Sequence, residues 1–334
     1  MKIAVYDIKG YAGYGDRVAA QDAAGYDTIV TDEAKTDPFV RSAVAASRTS
    51  RAEIMTGIAV AFARTPMLLA YSAHDMNVIS GGRFHLGLGS QVKAHITRRY
   101  AMPWTHPAPR MKEMIQAIHA IWDCWYEGKS LDFQGEYYRH TLMTPMFTPL
   151  ELDLPRPKIH LGAVGPYMTR AAADVADGMI THSLTTPAYI RDVTIPMLEE
   201  GLGARGLAMK DFELSGVPFV ATGETEEMLE SEKLRIRKQI AFYCSTPSYR
   251  AVLDHQGWGA LHEAALPMSK AGQWDAMTDL IDDEVLAAFA VVGTGREVVA
   301  QLRERFKGLY DRISVRFNAE AEEIPDLVAA LKAD

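Results

Sequence analysis

The chain has 334 residues, 48% of them hydrophobic and 23% charged, without a low-complexity tract, so it can bury a large core as one or two globular domains. Its net charge of −8 disfavours nucleic acid as a partner, and no run approaches the ~18 uninterrupted apolar residues of a membrane span. Because residues 1–7 already have a strand pattern, we expect a cytoplasmic protein with no signal peptide and no membrane partner. The two cysteines, Cys124 and Cys244, are far apart in the sequence, and the histidines show no metal-binding spacing. The sequence therefore predicts no metal site.

Strand and helix patterns alternate eight times along the chain. The predicted strands are 2–8, 26–31, 54–62, 84–89, 158–163, 178–182, 214–221 and 312–317. The predicted helices are 16–24, 37–47, 66–79, 110–126, 167–176, 187–201, 224–242, a helix opened by Gly293 to Glu297 that ends at Lys307, and 324–333. This order predicts one (β/α)8 TIM barrel spanning residues 1–334, with insertions at about 91–109, 129–156 and 244–290. A doubly wound open sheet is the alternative.

The stretch from Ser80 to Gln91, SGGRFHLGLGSQ, predicts a helix end, a tight turn, a buried strand and an exposed loop. Ligands bind at the carboxyl edge of parallel strands, so Gly89, Ser90 and Gln91 are candidate cofactor contacts. The stretch resembles the Leu-Ser-x-Gly-Arg-x-x-Leu-Gly-Leu-Gly run of luciferase-like flavin and deazaflavin oxidoreductases, with Ile79 in place of the leading Leu. The resemblance covers almost the whole chain and implies a barrel of the bacterial luciferase type.

No Asp or Glu occurs from Met76 to Lys112, although an even spread of the 43 acids would place about five there. Six Lys and Arg residues fall in this basic segment, among them Lys93. One interpretation is a basic loop that pairs with acidic surface elsewhere. The other is a mouth that attracts an anionic ligand, with Lys93 and His95 as contacts.

A buried strand ends in Gly162-Ala163-Val164-Gly165-Pro166, and a helix begins at once. The free N–H groups of a first helical turn suit a phosphate, with Thr169 and Arg170 as further contacts, although a purely structural turn also needs these glycines. The resemblance implies that the phosphate of a flavin or deazaflavin binds here. It also implies a bulge with a non-prolyl cis peptide near Gly57-Ile58, which supports the cofactor ring. From the residues alone, Gly57 indicates only a bulge or close packing.

Asp32 and Glu33 end the second predicted strand, where the resemblance implies an acid that is often followed by His. Ala34 replaces that His, so Asp32, Glu33 and His95 are the candidate proton donors, with helix capping as the structural alternative for the two acids. His182 leaves the sixth strand at the same edge and is a candidate cofactor contact, while Trp104 is a candidate lid over the substrate pocket.

Within the resembled family, Gln91 to His95 and Met102 to Trp104 are similar to the coenzyme F420-dependent branch. This implies an F420-dependent oxidoreductase that transfers a hydride to or from a small-molecule substrate, and a homodimer, which the apolar, Trp-rich helix 110–126 also favours. The alternatives are an FMN-dependent monooxygenase of the same fold, a non-catalytic flavin-binding relative, and a lyase or isomerase that binds a phosphorylated substrate.

Overall fold

Eight parallel strands close into a barrel in this computed structural model, which describes residues 1–333. The strands are β1 (Lys2–Tyr6), β2 (Thr28–Thr31), β3 (Glu53–Thr56), β4 (Phe84–Gly89), β5 (Lys158–Ala163), β6 (Gly178–Thr181), β7 (Glu213–Gly216) and β8 (Arg312–Ser314). Strand β3 pairs with β2 on one side and β4 on the other, so the sheet has no open edge. The predicted (β/α)8 barrel is therefore confirmed, and the doubly wound open sheet is excluded.

Helices surround the barrel strands and also form the insertions. They are Tyr14–Ala23, Pro38–Arg48, Pro66–Ser80, Lys93–Arg98, Pro107–Glu127, Pro166–Val175, Pro187–Tyr189, Ile195–Ala204, Glu226–Cys244, Arg250–His255, Gly259–Lys270, Asp283–Phe289, Gly295–Phe306 and Ile324–Lys332. A π-helical stretch, Ile190–Thr194, joins Pro187–Tyr189 to Ile195–Ala204. Across residues 1–333, none of these helices combines the length and the apolar character that crossing a membrane requires.

The Trp-rich face of helix Pro107–Glu127 lies inside the chain's own core. Trp122 is fully buried and Trp125 nearly so, and the helix packs against Pro66–Ser80 and Pro166–Val175. The apolar periodicity of this helix is thus explained by packing within one chain. The expectation of a homodimer therefore rests on the resemblance alone.

Two predicted strands are interrupted. The predicted strand 54–62 ends at Thr56, and Ala59–Val60 then pairs separately with β4 before a 3-10 turn. The predicted strand 214–221 splits into β7 and Phe219–Thr222, which leaves the barrel and pairs with Ala290–Gly293. Pro218 lies at that break and has no N–H to continue a ladder. Helix Asp283–Phe289 and strand Ala290–Gly293 were not predicted.

The segment between Thr222 and Ala290 forms a helical subdomain at one side of the barrel. Its helices enclose a second hydrophobic cluster, separate from the barrel core, that includes Phe219, Ile240 and Phe289. The cluster also contains Leu184 and Tyr189, which follow β6. The subdomain is therefore packed against the carboxyl end of β6. The predicted insertion at about 129–156 contains a short antiparallel pair, Phe133–Gln134 and Arg139–His140.

A charged layer fills the amino-terminal end of the barrel and identifies which strand residues face inward. Arg312 contacts Glu53 at 2.6 Å and Glu213 at 3.0 Å, and Lys2 contacts Glu53 at 2.6 Å. Strand side chains alternate between two faces, so residues two or four positions further along each strand also face inward. Tyr6 follows Lys2 on this face.

Candidate active site

Tyr6, Asp32 and Gly57 lie together at the carboxyl end of the first three barrel strands. The Tyr6 hydroxyl oxygen lies 2.5 Å from the position that a Cβ atom on Gly57 would take, and Val30 Cγ1 lies 2.4 Å from it. Any residue larger than glycine would displace both side chains. Tyr6 and Asp32 are each partly exposed, and both lie at the open end of the barrel, which we call the mouth.

The interruption after β3 places an apolar side chain across the mouth. A cis peptide bond joins Gly57 and Ile58, at the position that the resemblance implies. Ile58 Cγ1 lies 2.7 Å from the Cβ position of Gly89, and Ile58 Cγ2 lies 3.0 Å from that of Gly162. The two glycines thus make room for Ile58, which forms an apolar floor between the ends of β4 and β5.

The turn after β5 presents backbone N–H groups at the mouth. Gly165, with φ +74° and ψ 167°, precedes helix Pro166–Val175, and the Thr169 N–H makes the first helical bond to its carbonyl at 3.2 Å. The N–H groups of Tyr167 and Met168 come before that bond and are free for an anion. Thr169 instead donates its hydroxyl to the Gly165 carbonyl at 3.0 Å.

Arg170 is not part of the turn's inner surface. Its guanidinium pairs with Glu200 at 2.7 Å on the outside of the barrel. The turn therefore offers backbone groups and the positive end of a helix dipole, without a charged side chain of its own.

A cavity lies beside this turn, between the ends of β5 and β6, and its lining includes Ala163, Val164, Gly165, His182 and Thr185. The cavity is bounded on the far side by Val252 of the helical subdomain. The sequence-predicted residues of the turn and His182 are thus brought to one space.

His182 is held in one tautomer by its neighbours. Its Nδ1 accepts a hydrogen bond from the Leu184 N–H at 3.0 Å, so in the neutral ring the proton is on Nε2. Two tyrosine rings from the subdomain pack on it, with centroids 4.4 Å (Tyr243) and 4.5 Å (Tyr249) away. Burial lowers the pKa of His182 to about 4. The imidazole is therefore a neutral donor near neutral pH.

The lowered pKa makes His182 a source of acid sensitivity. An unfolded histidine, with a pKa of about 6.5, takes up a proton before the folded one does, so stability is complete above that pH and falls between about pH 6.5 and 4. We expect His182→Gln to lose less stability over this range than the wild type, by up to about 3 kcal/mol. Urea unfolding at pH 7, 5.5 and 4.5 measures this.

The control for this experiment is His95→Gln, since His95 is exposed. It should follow the wild-type pH dependence. A His182→Gln variant with the wild-type slope would show that His182 titrates normally in the folded protein.

The structure separates the two neighbouring acids after β2. Glu33 accepts hydrogen bonds from the Val60 N–H at 2.7 Å, from Arg64 at 2.6 Å and from the Tyr100 hydroxyl at 3.1 Å. Asp32 forms no ion pair within residues 1–333, unlike Glu33. Glu33 therefore has a structural explanation, and Asp32 is the acid available to a ligand.

The loop after β4 has an unusual backbone. Gln91, Ala101 and His106 have φ values of 59°, 54° and 32°, and they are the only non-glycine residues with positive φ among residues 1–333. Such conformations are uncommon outside glycine and concentrate at functional sites. Ile96, fully buried, anchors the loop between them.

The predicted contacts in this loop have different environments. Gln91 is partly buried, and its side chain accepts from the Val92 N–H at 3.0 Å, while Ser90 donates to the Gln91 carbonyl at 3.1 Å. Lys93 and His95 are exposed on helix Lys93–Arg98. Trp104 packs edge-to-face on buried Phe62 at 5.7 Å. The Trp104 ring therefore packs on the barrel core.

Most cations of the basic segment already have partners within the chain. Arg83 donates to backbone carbonyls, Arg110 is buried over the Phe62 ring, and Lys112 pairs with Asp174 at 2.7 Å. Arg99 donates to the Ala34 carbonyl at 2.9 Å. The remaining two cations, Lys93 and Arg98, are exposed on the short helix and form no ion pair within residues 1–333. The partnered cations therefore have structural explanations, and the interpretation as an anion-attracting mouth stays a prediction for Lys93 and Arg98.

Comparison with known proteins agrees with this architecture. Residues 6–312 match the luciferase-like monooxygenase family. The chain belongs to this family. An uncharacterized protein of Mycobacterium tuberculosis is 46% identical over 308 residues, which are 92% of this chain and 91% of that protein.

More distant relatives have assigned activities. The 5,10-methylenetetrahydromethanopterin reductase of Archaeoglobus fulgidus is 23% identical over 293 residues, 87% of this chain and 85% of that enzyme. The solved coenzyme F420-dependent tetrahydromethanopterin reductase of Methanopyrus kandleri superposes with a TM-score of 0.73 at 20% identity, covering 98% and 96% of the two chains. The structural similarity shows the shared luciferase-like fold.

Three residues at the mouth of this luciferase-like barrel were missed from the sequence. Tyr6 is the last residue of β1 and therefore lies at the mouth. It was missed because the predicted strand continued to Ile8, which placed Tyr6 inside the strand. Tyr243 and Tyr249 come from the subdomain, where no strand edge indicates a place in the fold.

Proposed function

We propose that this luciferase-like protein is a coenzyme F420-dependent oxidoreductase that transfers a hydride between the deazaflavin and a small organic substrate. The observation that supports it is the presence of two separate anion-binding features at one mouth. One is the N–H turn at Gly165, and the other is the pair of exposed cations Lys93 and Arg98. F420 has a phosphate and, beyond it, an anionic oligoglutamate tail, so it offers a partner to each feature.

The residues at the mouth fit the rest of such a cofactor. Ile58 and the glycines beneath it give an apolar surface for a flat ring, and the turn from Gly162 to Pro166 would hold the phosphate. When bound, the deazaflavin supplies a carbon that accepts or donates a hydride. Around it, His182 offers a neutral N–H donor and Asp32 an acid without an ion pair within residues 1–333.

The distant relatives named for F420 or for methylenetetrahydromethanopterin reduction support this cofactor class. The family description supports a monooxygenase as the second candidate, and we take FMN as the cofactor of that alternative. FMN shares the phosphate but has no anionic tail. The two exposed cations, Lys93 and Arg98, therefore favour F420 over FMN.

We expect the double variant Lys93→Ala/Arg98→Ala to bind F420 several-fold more weakly and FMN unchanged. Each exposed cation contributes about 0.2–1 kcal/mol to the free energy of binding an anionic group, and salt reduces that contribution. Fluorescence titrations with both cofactors, at low and high salt, measure the effect. In the wild type, F420 should bind more tightly and with greater salt dependence.

Lys210→Ala is the matched control, because Lys210 is an exposed cation at the amino-terminal end of the barrel. It should bind both cofactors like the wild type. Tighter binding of FMN by the wild type would move the assignment to the monooxygenase, and binding of neither would contradict the proposed function. Binding of reducible F420 with no turnover of any acceptor would favour the non-catalytic relative.

A further inference from the structure

The Tyr6 hydroxyl group makes no hydrogen bond to another residue among residues 1–333. The influences on its pKa are burial, the charge of Asp32 and the charge of Arg312, with no hydrogen bond from residues 1–333 among them. In contrast, the Tyr310 hydroxyl bonds Thr181 at 2.9 Å, and the Tyr100 hydroxyl bonds Glu33. The Tyr6 side chain nevertheless keeps some exposed surface. Its hydroxyl is therefore a donor without a protein acceptor, at the mouth.

The place of this hydroxyl is defined by Gly57. The oxygen lies where a side chain on Gly57 would begin, so it is next to the cis peptide and to the Ile58 floor. A ligand that rests on this floor would have Tyr6 at its edge. Asp32 follows the neighbouring strand β2 and is near enough for its charge to act on Tyr6.

We propose that the Tyr6 hydroxyl gives the proton to the substrate oxygen when a carbonyl compound is reduced at this site, and that a proton returns to Tyr6 from water by way of Asp32, which follows the neighbouring strand. This proposal rests on the proposed function. It names the substrate class as carbonyl compounds and the corresponding alcohols.

The step balances as a two-electron reduction. The carbonyl carbon gains a hydride, with both electrons, from the reduced deazaflavin, which becomes oxidised. The carbon–oxygen π pair moves to the oxygen, and that oxygen takes the proton from Tyr6 Oη. The resulting phenolate regains a proton from water through Asp32. In the reverse direction the alcohol gives its proton to Tyr6.

The charges around Tyr6 suit its proposed role as a proton donor. Burial and the neighbouring Asp32 charge raise the pKa of Tyr6, so the phenol stays protonated at neutral pH. Such a group is a poor acid toward water but can donate to an alkoxide, which is a stronger base than a phenolate. A proton donor in the transition state typically contributes about 10²–10⁴-fold to the rate.

The first test does not need the cofactor. Tyrosine labelled with ¹³C at the ring ζ carbon reports the ionisation of each phenol by NMR, and Tyr6→Phe assigns the Tyr6 signal. We expect Tyr6 to ionise above the pH of an ordinary tyrosine, and Asp32→Asn to lower that pH. Asp16→Asn is the control, because Asp16 is exposed on another element. A Tyr6 signal that does not move in Asp32→Asn would overturn the pairing, whether or not F420 binds.

The second test uses chemically reduced F420 with acetone, cyclohexanone and benzaldehyde, followed by the return of oxidised F420. Tyr6→Phe should bind F420 within about threefold of the wild type and reduce the best of these compounds at least about 100-fold more slowly. Tyr11→Phe, which removes an exposed hydroxyl, should match the wild type. A Tyr6→Phe rate equal to the wild-type rate would overturn the proton role, and wild-type turnover of none of the three would overturn the carbonyl class. Failure of the wild type to bind F420 would instead contradict the proposed function.

Discussion

Replacing Gly87 with alanine is expected to prevent this barrel from folding. A Cβ atom at Gly87 would lie 1.7 Å from the Thr56 carbonyl oxygen and 3.1 Å from Ile180 Cδ1. The first of these is a backbone atom, so it cannot rotate away. The Thr56 hydroxyl also bonds both the carbonyl and the N–H of Gly87, at 2.7 and 2.8 Å. Since β3 and β4 meet here to close the barrel, relief of the clash would open the sheet.

The expected loss exceeds about 4 kcal/mol, a large part of the ~5–15 kcal/mol that holds a typical domain together. Circular dichroism and urea unfolding of Gly87→Ala measure it. Gly203→Ala is the control, because Gly203 lies in helix Ile195–Ala204 with no atom within 4 Å of its Cβ position. That variant should equal or slightly exceed the wild-type stability. A Gly87→Ala protein with a wild-type unfolding midpoint would mean that the barrel closes differently.

The second large effect is expected on binding, from Gly165→Ala. Gly165 has φ +74° and ψ 167°, a conformation that is essentially restricted to glycine and costs another residue about 1–3 kcal/mol. To escape it, the turn must change shape and turn its N–H groups away from the mouth. We therefore expect F420 and FMN to bind about 10–100-fold more weakly, as measured by fluorescence titration.

Gly308→Ala separates binding from general strain. Gly308 has φ +76° and no atom within 4 Å of its Cβ position, and it precedes β8 at the opposite end of the barrel. This variant should lose stability and keep wild-type affinity for both cofactors. Unchanged affinity in Gly165→Ala would show that the turn does not bind the phosphate.

Much of the barrel was predictable because its strands carry strong local patterns. Strands Phe84–Gly89 and Lys158–Ala163 have the predicted bounds, since each is a short apolar run between turn residues. In the subdomain, the sequence predicted helix 224–242 and, beyond it, only an insertion at about 244–290. Its helix Asp283–Phe289 and strand Ala290–Gly293 are stabilised by contacts with Phe219–Thr222, which is distant in sequence. Local periodicity does not report such a partner.

The candidate site was predictable in position more than in detail. Asp32, Gly165 and His182 each follow a strand, and parallel strands bring their carboxyl ends to one edge. Their different environments could not be derived in the same way. Asp32 and Glu33 are adjacent and chemically alike, yet Glu33 meets Arg64 and Tyr100 while Asp32 does not. Each partner comes from another loop.

The sequence by itself determined the class of fold, the edge at which the site lies and the cationic character of one loop, because periodicity, turn residues and charge are local properties. Only the tertiary structure decided which cations stay unpaired, which acid faces the mouth and which tyrosine joins it. Those outcomes depend on contacts between residues far apart in the chain. Tyr6 and Gly57 are separated by two strands and two helices, and only closure of the barrel brings them together.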